Sequence, residues 1–323
     1  MNAKELSEKI IKDALKREAS DIHFIPGPNE ILIYYRVNGE RTFHHSIAPP
    51  IYRKLLTYLK FSSEMDIGEI KFPQNGKMAF SFSGNSVDLR LSTLPLTSTE
   101  SLAIRLLPTT QGLPIQRLFL FPEQLNKVTS WCNFNSGLIL FTGPTGCGKS
   151  TTLYALMELL IADGTFQIVT LEDPIEKYIP GIIQVQINEK TGFTYDEGLK
   201  AALRHDPDVI IVGELRDEAT AHFAMRAALS GHLVFSTLHA KNASGTIQRL
   251  REMKISEVDM QQTIRAIASQ RLLLSPPLRR RAAILEILDN ESLACALNDR
   301  PFISSQTFPH MKKKAWAYGF IQA

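Results

Sequence analysis

One segment of the 323-residue chain combines glycines, a lysine and a serine at a spacing that suits phosphate binding. Residues 143–150 read GPTGCGKS and fit the pattern G-x-x-x-x-G-K-[ST]. Glycines let the backbone curl so that several N–H groups point at phosphate oxygens, and a following helix N-terminus adds its dipole. In this pattern Lys149 supplies charge to the β- and γ-phosphates, and the Ser150 hydroxyl ligates Mg²⁺. The segment predicts a site for ATP with Mg²⁺.

The surrounding sequence agrees with this interpretation rather than with a chance match in a glycine turn. An apolar run, GLILFT, precedes the segment, and a helical stretch, STTLYALMELL, follows it. Cys147 is expected to contribute its backbone rather than its thiol. The predicted nucleotide-binding residues are Gly143, Pro144, Thr145, Gly146, Cys147, Gly148, Lys149, Ser150 and Thr151.

A carboxylate follows a later apolar run, in DPDVIIVGELRD. Glu214 stands directly after that run and its glycine. The carboxyl ends of parallel strands meet at the ligand-binding edge of a sheet, so Glu214 is expected beside the phosphate loop. There it could orient or deprotonate an attacking water molecule. The competing interpretation is a surface glutamate that caps the next helix.

A second acidic cluster, LEDPIE, contains Glu172, Asp173 and Glu176 and follows the apolar run FQIVTL. Because it leaves the same edge of the predicted sheet, Glu172 is a candidate catalytic residue and, with Ser150, a candidate Mg²⁺ ligand. Asp173 could act through water. Its competing role is that of a helix N-cap, since Pro174 ends the strand.

Two histidines bracket the run in GHLVFSTLHA. His232 opens the expected strand and His239 closes it. We expect both to face the phosphate site, where His239 could sense the γ-phosphate or hydrogen-bond to the acidic cluster. A structural role is the common alternative for a lone histidine.

The first third of the chain carries the signals of a small domain. Residues 1–107 combine helical stretches with strand-like runs, which predicts an α+β domain on an antiparallel sheet. Asn38-Gly39 between two such runs is a strong hairpin signal. The other expected features are a helix ending near Ser20, a helix over Pro50–Phe61, turns at Asn75-Gly76 and Gly84-Asn85, and further strands.

After a linker predicted at residues 108–115, the rhythm changes. Continuous apolar runs alternate with helical stretches over residues 116–323, which predicts a parallel sheet covered on both faces. The basic run 279–281 near the end is interpreted as a solvated turn before a last helix, with phosphate binding as the alternative.

Composition excludes several classes of protein. The net charge is +3, from 36 basic and 33 acidic residues, too small to argue for direct nucleic-acid binding. The three cysteines form no C-x-x-C pair, so neither a zinc site nor a disulfide framework is supported. With no signal peptide and no apolar run of about 20 residues, we expect a cytoplasmic protein with at most peripheral membrane association through partners.

Several of these segments together resemble one protein family. LRHDPDVIIVGELRD, residues 203–217, resembles the signature of the bacterial type II secretion and type IV pilus ATPases. The phosphate loop, LEDPIE and GHLVFSTLHA occur in that family's order. With ASDIHF and RVNGE near the start, the resemblance covers nearly the whole chain.

The resemblance implies a homo-hexameric ATPase in which a PAS-like α+β domain precedes a RecA-like P-loop domain. It implies that nucleotide lies between the two domains and that arginines of the first domain reach the phosphates. The matching positions are Arg90 in VDLRLSTLP and Arg105 in SLAIRLL; an exposed place on a sheet is the alternative for both. It also implies an inner-membrane platform protein as partner.

Within that family the sequence is most similar to the competence ATPases, on MDIGEIKFPQNGKM and QVQINEKTGFTYDEGLKAALRHDPD. The similarity implies a motor that assembles a DNA-uptake pseudopilus, with only indirect DNA contact. Pilus retraction ATPases are the nearest rival. A RecA-like DNA translocase would need a basic and aromatic strand-binding surface, a small-molecule kinase would need a lid and an acceptor site, and a GTP switch would need N-K-x-D.

Overall fold

The computed structural model describes residues 2–82, 85–97, 99–108, 114–189, 192–278, 280–301 and 306–322. The chain divides into two compact units, Met1–Gln111 and Gly112–Ala323. Residues 109–113 of the predicted linker lie outside the described residues.

The first unit is a sheet with two helices on one face. In its described part, six strands pair antiparallel in the order β3-β2-β1-β6-β5-β4. The expected antiparallel sheet is therefore present. The elements are α1 (Ala3–Lys16), β1 (Ala19–Pro26), β2 (Ile31–Val37), β3 (Glu40–Ile47), α2 (Pro49–Ser62), β4 (Gln74–Phe82), β5 (Asn85–Pro95) and β6 (Glu100–Pro108).

Helix α1 begins with a capping box in which the Asn2 side chain accepts from the Glu5 N–H. Its apolar stripe, with Leu6 and Ile10, packs into a core that β1, β2, β5 and β6 complete. The expected helix end near Ser20 is wrong, because the chain turns at Glu18 (φ 55°) and Ala19 already pairs with β2.

The two turn signals of this unit have different outcomes. Asn38-Gly39 forms the predicted hairpin turn, with φ of 52° and 87°. Asn75-Gly76 lies inside β4 and pairs with β5, so the predicted turn is wrong. Gly76 instead allows close approach, because a Cβ there would lie 2.4 Å from the carbonyl oxygen of Ser63. Gly84 of the third signal lies outside the described residues.

A buried ion pair fastens α2 to β6 in this unit. Lys60 and Glu100 are both 2% exposed. The Lys60 ammonium donates to Glu100 Oε2 at 2.9 Å and to the backbone oxygen of Glu69 at 2.7 Å. Glu100→Ala would leave a buried ammonium without its carboxylate, and we expect the free energy of unfolding to fall by about 3–5 kcal/mol.

Urea unfolding followed by circular dichroism measures this change. The paired variant Lys60→Met/Glu100→Leu removes both charges and is expected to regain most of the stability. A Glu100→Ala protein as stable as the wild type would contradict the role given to the ion pair.

The second unit holds a mixed seven-stranded sheet in its described residues, in the order β13-β12-β7-β11-β10-β8-β9. Its elements are α3 (Pro122–Ser130), β7 (Gly137–Thr142), α4 (Lys149–Asp163), β8 (Ile168–Glu172), β9 (Ile183–Gln186), α5 (Tyr195–Ala202), β10 (Val209–Val212), α6 (Glu218–Leu229), β11 (Leu233–Leu238), α7 (Ala243–Glu252), α8 (Glu257–Thr263), β12 (Ile264–Ser275), β13 (Arg280–Asp289), α9 (Asn290–Leu297) and α10 (Phe308–Ala317).

Strands β12, β7, β11, β10, β8 and β9 are parallel, and helices cover both faces over two apolar clusters. The predicted fully parallel sheet is wrong at one edge, where β13 returns antiparallel to β12. The helix expected directly after the basic run is also wrong. The run RRAAILEILD is apolar enough to form either a helix or a strand. It forms a strand because all ten of its residues pair with β12.

Among the described residues, no helix has both the length and the apolar character needed to cross a membrane.

Candidate active site

The segment 143–150 forms a loop between β7 and α4. Gly143, Gly146 and Gly148 adopt φ of 140°, 77° and 91°, which a side chain rarely permits. A Cβ on Gly146 would meet no atom within 4 Å, so this side of the loop is open. Gly148 is the N-cap of the 15-residue α4, whose first N–H groups have no partner within the helix. The loop is thus shaped to receive an anion.

Lys149 is the cation of this loop and is only 8% exposed. Its ammonium donates to the backbone oxygens of Gly143 at 2.8 Å and Pro144 at 3.2 Å. Burial lowers the pKa of Lys149 below its ordinary value, while the nearby Cys147 and Glu214 side chains act in the opposite direction. The ammonium is therefore held at the loop and shares its electrostatic environment with Glu214.

A buried glutamine supports the loop from β12. The Gln270 side chain donates to the backbone oxygen of Cys147 at 2.8 Å and accepts from the Thr152 hydroxyl at 3.0 Å. The backbone of Gln270 is also close to the loop, because a Cβ on Gly143 would lie 2.6 Å from the Gln270 backbone oxygen. Sequence reasoning missed Gln270, although one amide in the apolar run IRAIASQRLLL was a usable signal.

Glu214 lies at the C-terminal edge of the sheet, held there by its neighbours in the chain. Gly213 donates to the Leu171 oxygen at 2.8 Å, and Leu215 donates to the Thr237 oxygen at 2.8 Å. These bonds fasten both sides of Glu214 to β8 and β11. The interpretation of Glu214 as a helix cap is wrong, because Asp217 caps α6.

Two side chains, from His239 and Arg216, contact the Glu214 carboxylate. His239 Nε2 lies 2.7 Å from Oε1, and Arg216 Nε donates to Oε2 at 2.9 Å. Arg216 also donates to Asp173 Oδ2 at 2.9 Å, and its bond to Glu214 raises the pKa of the guanidinium. A carboxylate has about four acceptor positions, so this one can still accept from water. Arg216 was missed although it lies two residues from Glu214.

Glu172 ends β8 in a more enclosed setting and is 6% exposed. Its carboxylate accepts from the Tyr154 hydroxyl, from Thr170 Oγ1 at 2.6 Å and from Gln184 Nε2 at 3.3 Å. Glu176 contributes its backbone N–H to Tyr154. In the described part of the chain, no group of three or more His, Cys, Asp or Glu residues could hold a metal ion. The Mg²⁺ role of Glu172 stays a prediction.

The helix-cap alternative for Asp173 is wrong. Residues 173–182 contain no helix, and the chain continues directly to β9. The Asp173 carboxylate is instead an acceptor for Arg216.

His232 lies at the opposite edge of the sheet from His239. The His232 oxygen accepts from Gly137 at the start of β7, whereas the phosphate loop follows the end of β7. Six strand residues separate those ends by about 20 Å. The Nδ1 atom of His232 contacts the Ser230 hydroxyl at 3.0 Å and the Ala227 backbone oxygen at 3.2 Å. The expectation that both histidines face one site is therefore wrong.

Arg90 and Arg105 belong to the first unit, where they are direct partners across β5 and β6. Arg105 Nε donates to Asp21 Oδ1 at 3.0 Å. Their reach toward phosphates stays a prediction.

The chain is similar to several known proteins over most of its length. Competence protein ComGA of Bacillus subtilis (strain 168) is 39% identical over 98% of this chain and 94% of its own length. Type II secretion system protein E of Klebsiella pneumoniae is 40% identical over 83% of this chain and 54% of its own length. The pilus retraction motor PilT, solved with bound ADP, matches at TM-score 0.71 and 29% identity, covering 98% of this chain and 94% of PilT.

The profile of the T2SSE family, described as type II/IV secretion system protein, matches residues 2–298. The resemblance inferred from the phosphate loop, the acidic segment and the histidine segment is thereby confirmed, including the similarity to competence ATPases. The chain belongs to the type II/IV secretion system protein family.

Proposed function

We propose that this chain hydrolyses Mg²⁺-ATP at the edge of the second unit where the phosphate loop and Glu214 lie. Two neighbouring features carry the proposal. One is an open glycine loop with Lys149 at its end, and the other is a carboxylate whose oxygens are fixed by Arg216 and His239. Loop N–H groups and Lys149 bind the phosphates. Glu214 orients the attacking water and accepts its proton.

The other residues of the site bind Mg²⁺ or position other side chains in this proposal. The Ser150 hydroxyl at the start of α4 would be a ligand of Mg²⁺, an ion that usually keeps several waters and substrate oxygens in its coordination shell. When bound, Mg²⁺ would neutralise charge on the phosphates. His239 and Arg216 hold the Glu214 carboxylate in one orientation. Glu172, at the end of β8, is buried and positions the side chains of Tyr154 and Thr170 through hydrogen bonds.

The biological role proposed is that of a cytoplasmic homo-hexameric motor that builds a competence pseudopilus on a membrane platform protein. ComGA is a competence protein and PilT is a pilus retraction motor with bound ADP, and both similarities extend over nearly the whole chain. In this role the first unit is a PAS-like domain, the second unit is RecA-like, and Arg90 and Arg105 reach the nucleotide. DNA is moved indirectly, through the filament.

The experiment that tests this role measures ATP hydrolysis per subunit and molecular mass together, over a range of protein concentrations. If sites need neighbouring subunits, the specific activity is expected to rise as hexamers form. Full activity in a species that remains monomeric at every concentration would overturn the oligomeric part of the proposal.

A retraction motor is the second candidate, favoured by the 29% identity to PilT over 98% of this chain. Deleting the gene in its host separates the two roles. Loss of the filament supports assembly, whereas accumulation of filaments supports retraction.

Gln270 gives a further prediction about nucleotide binding. Gln270→Leu removes both side-chain bonds to the phosphate-loop region. We expect the Kd for ATP to rise about fivefold, since a net loss of about 1 kcal/mol corresponds to that factor. Isothermal titration calorimetry measures the change. Gln124→Leu is the matched control, because Gln124 is equally buried (1% exposed) and bonds to Leu285 instead. An unchanged Kd for Gln270→Leu would contradict its support of the loop.

A further inference from the structure

One end of the second unit carries a surface that nucleotide chemistry leaves unused. Strands β12 and β13 join through a turn in which Leu278 is 40% exposed. Pro276 and Pro277, just before it, are exposed as well. Residues 270–281 contain no acidic side chain. Exposed proline and leucine side chains with no acidic neighbour, at the tip of a hairpin, indicate a contact surface.

Arginines gather at the base of this turn. Arg280 and Arg281 open β13, and Arg117 lies beside them because the Leu118 oxygen accepts from the Ala283 N–H. Burial and then the charge of Arg117 hold the pKa of Arg280 below its usual range. Over the described ranges, none of these arginines forms an ion pair with a carboxylate. Arg279 lies outside the described residues.

The last helix adds lysines and aromatic rings. Phe308, Met311 and Ala315 form the buried stripe of α10. Its solvent side presents Lys312 and Lys313, together with the indole of Trp316, which is 59% exposed. Tyr318, just after the helix, is 65% exposed. Residues 300–323 contain no aspartate or glutamate, so the whole segment is basic.

Contacts place the end of this helix near the arginines. Helix α10 begins where the Phe308 N–H donates to Glu286 Oε2 at 3.3 Å. The Tyr318 ring, past its end, lies 6.4 Å from the ring of Phe121. Phe121 follows Leu120, whose N–H donates to the Ala283 oxygen at 2.8 Å. The helix therefore runs back along β13 toward the strand's first residues.

We propose that this C-terminal basic-aromatic surface binds directly to the surface of an anionic lipid bilayer. It consists of Arg117, Pro276, Pro277, Leu278, Arg280, Lys312, Lys313, Trp316 and Tyr318.

Three of its properties fit a bilayer. Tryptophan and tyrosine favour the interface between headgroups and acyl chains. Lysines and arginines are attracted to anionic headgroups, with a contribution of roughly fivefold in affinity per residue. The exposed Pro276, Pro277 and Leu278 side chains can enter the headgroup region and so leave water.

Other acidic partners fit the same surface less well. A nucleic-acid backbone or an acidic protein would use the arginines and lysines but would leave the leucine-proline turn in contact with phosphates or carboxylates. The proposal goes beyond ATP hydrolysis, because it gives the chain its own lipid contact in addition to any protein partner. It stands on residues remote from Lys149 and Glu214 in sequence, so its failure would leave the ATPase proposal intact.

The test uses the protein's own fluorescence. The chain has two tryptophans, of which Trp131 is 2% exposed and Trp316 is 59% exposed. Vesicles of phosphatidylcholine with about one part in three phosphatidylglycerol are expected to shift the emission to shorter wavelength and to cosediment with the full-length chain. Pure phosphatidylcholine vesicles are expected to do neither. Trp316→Phe should abolish the shift while most cosedimentation remains.

Charge variants show whether binding depends on this surface or only on the net charge of the protein. Lys312→Glu/Lys313→Glu is expected to weaken binding to the anionic vesicles by at least about 25-fold. Lys200→Glu/Lys254→Glu makes the same change in net charge at lysines that are 66% and 75% exposed elsewhere, and should bind nearly as the wild type does. Circular dichroism confirms that each variant is folded.

Two results would overturn the proposal. One is an unchanged emission spectrum and no cosedimentation at saturating anionic vesicles. The other is a stronger shift with a DNA duplex or with polyglutamate than with vesicles, which would assign the surface to nucleic acid or to an acidic protein.

Discussion

Replacing Lys149 with alanine is expected to raise the Kd for ATP about 100-fold and to abolish measurable hydrolysis. The ammonium is held at the mouth of the phosphate loop by the backbone oxygens of Gly143 and Pro144. A charge-assisted bond to phosphate contributes about 1.5–3 kcal/mol, and two phosphates depend on this one group. Binding of a fluorescent ATP analogue, with and without Mg²⁺, measures the change.

The variant must be shown to fold, because Lys149 is also bonded within the loop. Thermal unfolding by circular dichroism serves that purpose. Lys200→Ala is the matched control, since this lysine on α5 is 66% exposed and pairs with Asp196, four residues earlier on the same helix. Equal ATP affinity in Lys149→Ala and the wild type would contradict the assignment of the phosphate loop.

Replacing Glu214 with glutamine is expected to slow ATP hydrolysis by about 10²–10⁴-fold and to leave ATP binding nearly unchanged. Glutamine keeps the size of the side chain and can still accept from Arg216, but it cannot take a proton from water. The effect should therefore appear in kcat and not in the Kd for ATP. Single-turnover phosphate release and equilibrium binding together measure it.

Glu218→Gln is the control for this variant. Glu218 lies four residues further on, in the first turn of α6, and contacts Lys254 at 2.8 Å. Its substitution should change neither binding nor hydrolysis. If Glu214→Gln turned over ATP at the wild-type rate, the general base would have to be another group.

The local signals that were strongest in the sequence are also those the fold uses. GPTGCGKS sits between an apolar run and a helical run, and these form β7 and α4. Asn38-Gly39 forms its hairpin because both residues take positive φ. In each case the prediction depended on neighbours in the chain, which a sequence displays directly.

Features that depend on partners far along the chain were not predictable in the same way. Gln270 supports the phosphate loop from a position 123 residues after Cys147, and nothing in the sequence near Gln270 indicates that contact. Arg216 reaches Asp173 across β10 and β8. His232 was misjudged because a strand has two ends, and only its direction in the sheet decides which end meets the phosphate loop. The turn predicted at Asn75-Gly76 was wrong because the glycine is there for another reason: Ser63 packs so close to Gly76 that a side chain would not fit.

The different environments of the two glutamates at the C-terminal edge of the sheet could not be predicted from the sequence either. The sequence suggested that Glu172, Glu214 and His239 would meet. The structure brings His239 to Glu214 and encloses Glu172 with Tyr154 and Thr170. Burial and hydrogen-bond partners, not residue type, distinguish these two glutamates.

Mg²⁺-dependent phosphate release from ATP, by the purified wild-type chain and by Glu214→Gln side by side, tests the central claim most directly. We predict release by the wild type that stops when Mg²⁺ is chelated, and release by the variant that is at least 100-fold slower although ATP is still bound. A wild-type chain that binds ATP but releases no phosphate at any protein concentration, or a variant as fast as the wild type, would contradict it.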